Sequence, residues 1–206
     1  MKIASGQIIL LITASIVTAV IVFFDRSPSS APEFAEFVEQ TVTMEDVQIE
    51  KALEIINGGG SPMEGILMLK ELADADAPNI NAAFLLAQFS VTSGQDTLAV
   101  ERYTQVLELD PDYIDATWEL AMLNMKMGDL EAAVSRFEDC VDKDQSLSNG
   151  YFFMAQCYDA MGRKGEALEA FKTYLPLAPN SVVQESVEVF INRLEVEATR
   201  ADDINP

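Results

Sequence analysis

The chain contains no histidine. The commonest general base and the commonest zinc ligand are therefore both missing. Its two cysteines, Cys140 and Cys157, are too few for a zinc site. Basic residues are scarce as well: 13 Lys and Arg stand against 34 Asp and Glu, for a net charge of −21. A nucleic-acid binder needs Lys and Arg to neutralise phosphates, so the balance argues against that class. The balance suits a basic or neutral partner, and it equally suits a protein kept soluble in saline surroundings. The triple glycine Gly58-Gly59-Gly60 is not followed by Gly-Lys-Ser/Thr, so it is no phosphate loop. No nucleophile motif is visible. We expect no enzyme, no metal and no cofactor.

What the chain does have is a period. Gly94, Gly128 and Gly162 lie 34 residues apart, and the same shift aligns Ala99, Ala133 and Ala167. It also aligns Tyr103, Phe137 and Phe171; Ala87, Ala121 and Ala155; and Leu86, Leu120 and Met154. One further shift upstream puts Gly60, Gly65 and Leu69 in the glycine, alanine and aromatic columns, and Leu53 where the later units have alanine. Apolar residues recur at helical spacing on both sides of Gly128: Leu120, Leu123 and Met127 before it, Leu130, Ala133, Val134, Phe137 and Val141 after it. Each unit is therefore two helices joined at a glycine turn. The small residues allow close approach and the aromatic fills the space where the helices diverge. Such a pair cannot bury its apolar face alone, so units must stack.

These columns resemble the tetratricopeptide repeat (TPR) family. The motif's proline is present as Pro111 and Pro179, with Gln145 departing. Its first-helix tryptophan is replaced by Ala83, Thr117 and Tyr151, its Leu-Gly pair by Leu86-Ala87, Leu120-Ala121 and Met154-Ala155, and its tyrosine is kept only at Tyr158. The resemblance covers roughly residues 46–180 and implies an all-α superhelix that binds protein and performs no chemistry. We expect an α-solenoid of about four helix pairs, as units 46–79, 80–113, 114–147 and 148–181. A capping helix over 181–200 and a polar tail over 201–206 should follow, with the whole domain behind one N-terminal transmembrane helix.

The span from Ile3 to Phe24 holds 22 residues without a charge. As a helix it reaches ~33 Å, enough for a bilayer core of ~30 Å. A secretory signal has a shorter apolar region of ~7–15 residues, although Ser29-Ser30-Ala31 has the look of a cleavage site. An uncleaved anchor over residues 1–24 is the expectation. Lys2 before the span favours a cytoplasmic N-terminus, with Arg26 behind it as the opposing charge. The repeats would then face the periplasm from the inner (cytoplasmic) membrane. Residues 25–45 should form a linker and a short helix carrying Phe34, Phe37, Val38 and Val42, which caps the first unit or lies on the membrane. Ser61 with Glu64, and Ser181 with Gln184, have capping-box spacing, and Pro62 suits a first helical position.

The resemblance implies that the first helix of every unit lines a concave groove. Three columns on that helix then become candidates: the aromatics Phe84, Trp118 and Phe152; the polar Asn81, Asp115 and Asn149 one turn earlier; and Gln88, Met122 and Gln156 one turn later. Aromatic anchors flanked by amides suit an extended peptide, though an aromatic column also serves packing. Val91, Met125, Glu119 and Asp159 would widen the surface. Two functions fit: a membrane-anchored adaptor or scaffold for a protein segment in envelope complex assembly or as an accessory subunit, and a periplasmic holdase-type chaperone for exported polypeptides such as apocytochromes. Cys140 and Cys157 fall on neighbouring helices, where a disulfide or two buried thiols are the alternatives.

Overall fold

The computed structural model describes residues 42–58 and 60–204. The expected membrane span over 1–24 and the linker and short helix up to residue 41 lie outside them. Among the described residues there is no strand, and no helix is long and apolar enough to cross a membrane. The helices are α1 (Met44–Asn57), α2 (Pro62–Ala73), α3 (Ile80–Thr92), α4 (Asp96–Leu109), α5 (Ile114–Met127), α6 (Leu130–Lys143), α7 (Gly150–Ala160), α8 (Lys164–Tyr174) and α9 (Ser181–Ile204). They pair as α1/α2, α3/α4, α5/α6 and α7/α8, and each packs chiefly on its neighbours in sequence. This is the all-helical solenoid that the period predicts.

The columns explain the packing. Ala87, Ala121 and Ala155 are fully buried, as are Ala99, Ala133 and Ala167, so paired helices touch through methyl groups. Tyr103, Phe137 and Phe171 are fully buried beside them. The turns are built alike in three units. Gly94, Gly128 and Gly162 hold φ of 73°, 86° and 76°. The next amide donates to the carbonyl five residues back: Gln95 to Ser90 (2.8 Å), Asp129 to Asn124 (2.9 Å) and Arg163 to Tyr158 (2.8 Å). Glycine adopts the left-handed backbone this requires without steric cost.

The first unit departs from the rule. Gly60 sits in the glycine column but does not take a positive φ. Helix α1 ends instead at Gly58, whose amide donates to the Glu54 carbonyl at 2.7 Å. Ala52 is fully buried where later units have Leu or Met, and Leu53 stands in the alanine column. Gly65 faces Ala52 across the pair, so α1 and α2 approach more closely than alanine would allow.

Helix starts differ from the expected boxes. The Ser61 side chain makes no capping bond, and Pro62 at the first position carries that start. At α9 the cap is Asn180, whose Oδ1 accepts from the Val183 amide at 3.1 Å, which places Ser181 inside the helix. A true capping box joins Thr43 and Asp46: the Asp46 amide donates to Thr43 Oγ1 (3.1 Å) and the Thr43 amide to Asp46 Oδ2 (2.8 Å). Helix α9 continues to Ile204, past the expected start of the tail at Ala201. Its buried stripe Val187, Ile191 and Leu194 closes the last pair, with Phe190 stacked on Phe171 at 5.1 Å.

Ties between units recur at nearly the sequence period. Asn79 donates to Glu45 at 2.6 Å, Arg102 to Asp74 at 2.5 Å, Lys126 to Asp96 at 2.7 Å and Arg193 to Asp159 at 2.5 Å. Cys140 and Cys157 are buried free thiols, and no disulfide joins them. Burial pushes each thiol up to about 11, which leaves little thiolate at neutral pH.

Candidate functional site

The first helices α3, α5 and α7 carry the candidate columns. Asn81, Asp115 and Asn149 are exposed, as is Gln88, whereas Met122 and Gln156 are half-buried. Within the described residues, no side-chain hydrogen bond engages any of these amides or the Asp115 carboxylate. Their donors and acceptors are thus unpaired within the described residues.

The aromatic column is half-buried and already has partners. Phe84 packs on Tyr103 (5.6 Å, edge-on) and Tyr113 (5.2 Å). Trp118 packs edge-on against Phe137 (5.1 Å) and Phe153 (5.8 Å). Phe152 meets Phe153, Phe171, Tyr174 and Phe190 at 5.5–6.2 Å. Each ring bridges its own unit to adjoining helices and leaves part of itself at the surface. Asp159, counted above as widening the surface, is occupied. Lys164 and Arg193 each reach it at 2.5 Å. Burial works against its charge, but these two partners hold its carboxyl below the usual range.

A cleft of about 380 Å³ opens along the stripe between α3 and α5, lined by Gln88, Phe89, Val91, Thr92, Tyr103 and Glu119. Gln88, Val91 and Glu119 were legible from helical register. Tyr103, Phe89 and Thr92 were not. The one available signal was a hydroxyl in a core column that otherwise holds Phe137 and Phe171. Tyr103 is fully buried, and its hydroxyl has no hydrogen-bond partner within the described residues. Burial and then the nearby Glu119 carboxylate push its phenol upward. Burial and then Asp115 raise the Glu119 carboxyl. A larger cavity, about 620 Å³, lies between the first two units on the side of α2 and α4, with Met63, Ile66, Leu98 and Phe89 in its walls. No group of three or more Cys, Asp or Glu arranged to hold a metal occurs among the described residues.

The family model described as tetratricopeptide repeat matches residues 148–181. That stretch, α7 with α8, is a tetratricopeptide repeat unit, and the preceding pairs repeat its helix–turn–helix geometry. No curated protein matches it. Solved structures share the fold at low identity. A MamA AMB-1 structure is 22% identical with a TM-score of 0.63, covering 79% of this chain and 86% of that one. MamA 41-end from Desulfovibrio magneticus RS-1 is 17% identical with a TM-score of 0.59, covering 77% and 97%. Another MamA crystal structure is 20% identical with a TM-score of 0.57, covering 65% and 72%. At these identities the likeness concerns the fold alone.

Proposed function

We propose that the repeat domain is a non-catalytic scaffold that holds an extended protein segment along the face formed by α3, α5 and α7. The observation that carries this reading is the coincidence of three features on one face. Free amides stand at Asn81, Gln88 and Asn149, half-buried rings at Phe84, Trp118 and Phe152, and a cleft lies between α3 and α5. Rings supply apolar anchorage, and unpaired amides supply bonds for a peptide backbone. The uncharged run Ile3–Phe24 supports a single-pass tether in the inner membrane, and Lys2 supports a periplasmic repeat domain. The role is then assembly of an envelope complex, or service as its accessory subunit.

Photo-crosslinking from position 88 or 149 in intact cells, followed by mass spectrometry, tests the scaffold. One stoichiometric partner is expected. A broad set of unrelated exported chains would replace this reading with a holdase, and no groove-dependent product would end it. A C-terminal alkaline phosphatase fusion should be active, and an inactive fusion would reverse the topology.

A further inference from the structure

The cleft between α3 and α5 has a specific chemistry. It holds a carboxylate, Glu119, an amide, Gln88, and a buried phenol, Tyr103, with Phe89 and Val91 as apolar wall. No Lys or Arg lines it, and within the described residues no ion pair engages Glu119. Asp115 adds a second negative charge close enough to act on Glu119. Two of these groups are left in states that a finished protein interior avoids. A fully buried hydroxyl without a partner costs stability, because it gave up water and received nothing in return. A half-buried carboxylate without a counter-charge is likewise costly. Both stand at one cleft, near enough for Glu119 to perturb the phenol.

We infer that this cleft receives the guanidinium of an arginine in the bound segment. A guanidinium carries five N–H donors in a planar fork and matches a carboxylate bidentately. Glu119 takes the fork, a remaining donor reaches the Gln88 side-chain oxygen, and another meets the Tyr103 oxygen in the cleft floor once the side chains covering it part. Phe89 and Val91 pack the methylene stem, as apolar surface does for long basic side chains. The net charge of −21 favours approach of a basic segment. An ammonium offers three donors and no planar fork, so lysine should bind less tightly. The inference rests on the scaffold reading and adds the side chain that the groove selects.

The test uses the full chain in detergent and two fluorescein-labelled pentapeptide pools with randomised flanks. One pool has arginine at its centre and the other citrulline, which keeps the shape and loses the charge. The arginine pool should bind about tenfold tighter or more. Glu119→Gln should bring the ratio close to one, and Tyr103→Phe should reduce it several-fold. Tyr103→Phe should also leave the unfolding midpoint unchanged or raised, because it deletes an unpartnered hydroxyl and keeps the ring. A lowered midpoint would show that the hydroxyl serves the fold, and would overturn the inference. Equal binding of both pools with a response in Trp118 emission would overturn the arginine site while leaving the groove standing. Absence of binding by the arginine pool also overturns it, whether or not crosslinking finds a partner.

Discussion

Replacing Gly65 by alanine should destabilise the domain, although sequence reasoning recommends the change. Position 65 falls in the column that holds Ala99, Ala133 and Ala167, and glycine inside a helix is worse than alanine by ~0.5–1 kcal/mol. The structure opposes this. A Cβ at Gly65 would press into the carbonyl oxygen of Ala52 and lie 2.6 Å from Cγ1 of Ile56. The first obstacle is backbone, and the second is bonded directly to the branched Cβ of a stiff side chain, so neither yields without moving α1. Overpacking of this kind costs ~1–3 kcal/mol, with the upper end appropriate here. After the helix-propensity gain, a net loss of about 1–2 kcal/mol remains. For a chain of this size that lowers the midpoint by roughly 2–8 °C, since ~2–4 °C accompanies each kcal/mol. Thermal and urea unfolding of the variant decide the matter, with Ala99→Gly as the comparison. The comparison should also lose stability, because there the alanine methyl is buried and fits. A Gly65→Ala variant as stable as the parent would show that α1 and α2 separate freely, and the close approach described above would carry no weight.

Trp118→Ala should lower stability by about 2–3 kcal/mol, less than a full core truncation because the ring is half-buried. At a temperature where the variant is folded, it should also weaken partner binding by ~2 kcal/mol, and retained affinity would remove Trp118 from the groove. Gly150→Ala should destabilise because its Cβ would lie 2.5 Å from Val141 Cγ1. Combining it with Val141→Ala should abolish that extra cost in a double-mutant cycle, and strict additivity would refute the clash. Asp74 accepts from Arg102 and Lys70, which hold its carboxyl at about 2 against an ordinary 3.8. Its folded value is depressed, so its contribution is complete above pH ~4 and is lost as pH falls through ~2. Solvent screening limits it to about 1 kcal/mol or less, so Arg102→Ala should cost that much at pH 7 and nothing near pH 1.5. A constant cost at both pH values would assign the loss to packing of the arginine stem.

The repeat was legible because it is written in residues whose chemistry leaves little choice. Positive φ demands glycine at Gly94, Gly128 and Gly162, and close helix pairs demand the alanines. The first unit was harder to read because it exchanges small and large residues between Ala52 and Leu53 and makes room at Gly65, which changes the geometry rather than following it. The start of α9 was misread because two capping candidates are adjacent. Asn180 and Ser181 are both good caps, and it is Asn180 that accepts from the Val183 amide. The candidate columns on α3, α5 and α7 were readable from register, but their double character was not. A half-buried ring such as Phe152 looks the same in sequence whether it meets a ligand or Phe190. Tyr103 was assigned to the core by its column, and only the structure shows a hydroxyl there without a partner.

Aromatic contacts run without a break from Trp118 through Phe137, Phe153, Phe152 and Phe171 to Phe190, whereas helices α1 and α2 contain no aromatic residue. This gradient runs against the direction of synthesis. The ribosome delivers the pair without aromatic residues first, and its packing neighbours α3 and α4 follow within a few seconds at ~5–20 residues per second. Val47, Met63 and Leu67 stay exposed in the finished fold as they are on the nascent chain. The array can therefore close pair by pair as it emerges, and the aromatic block adds rigidity only at its C-terminal end.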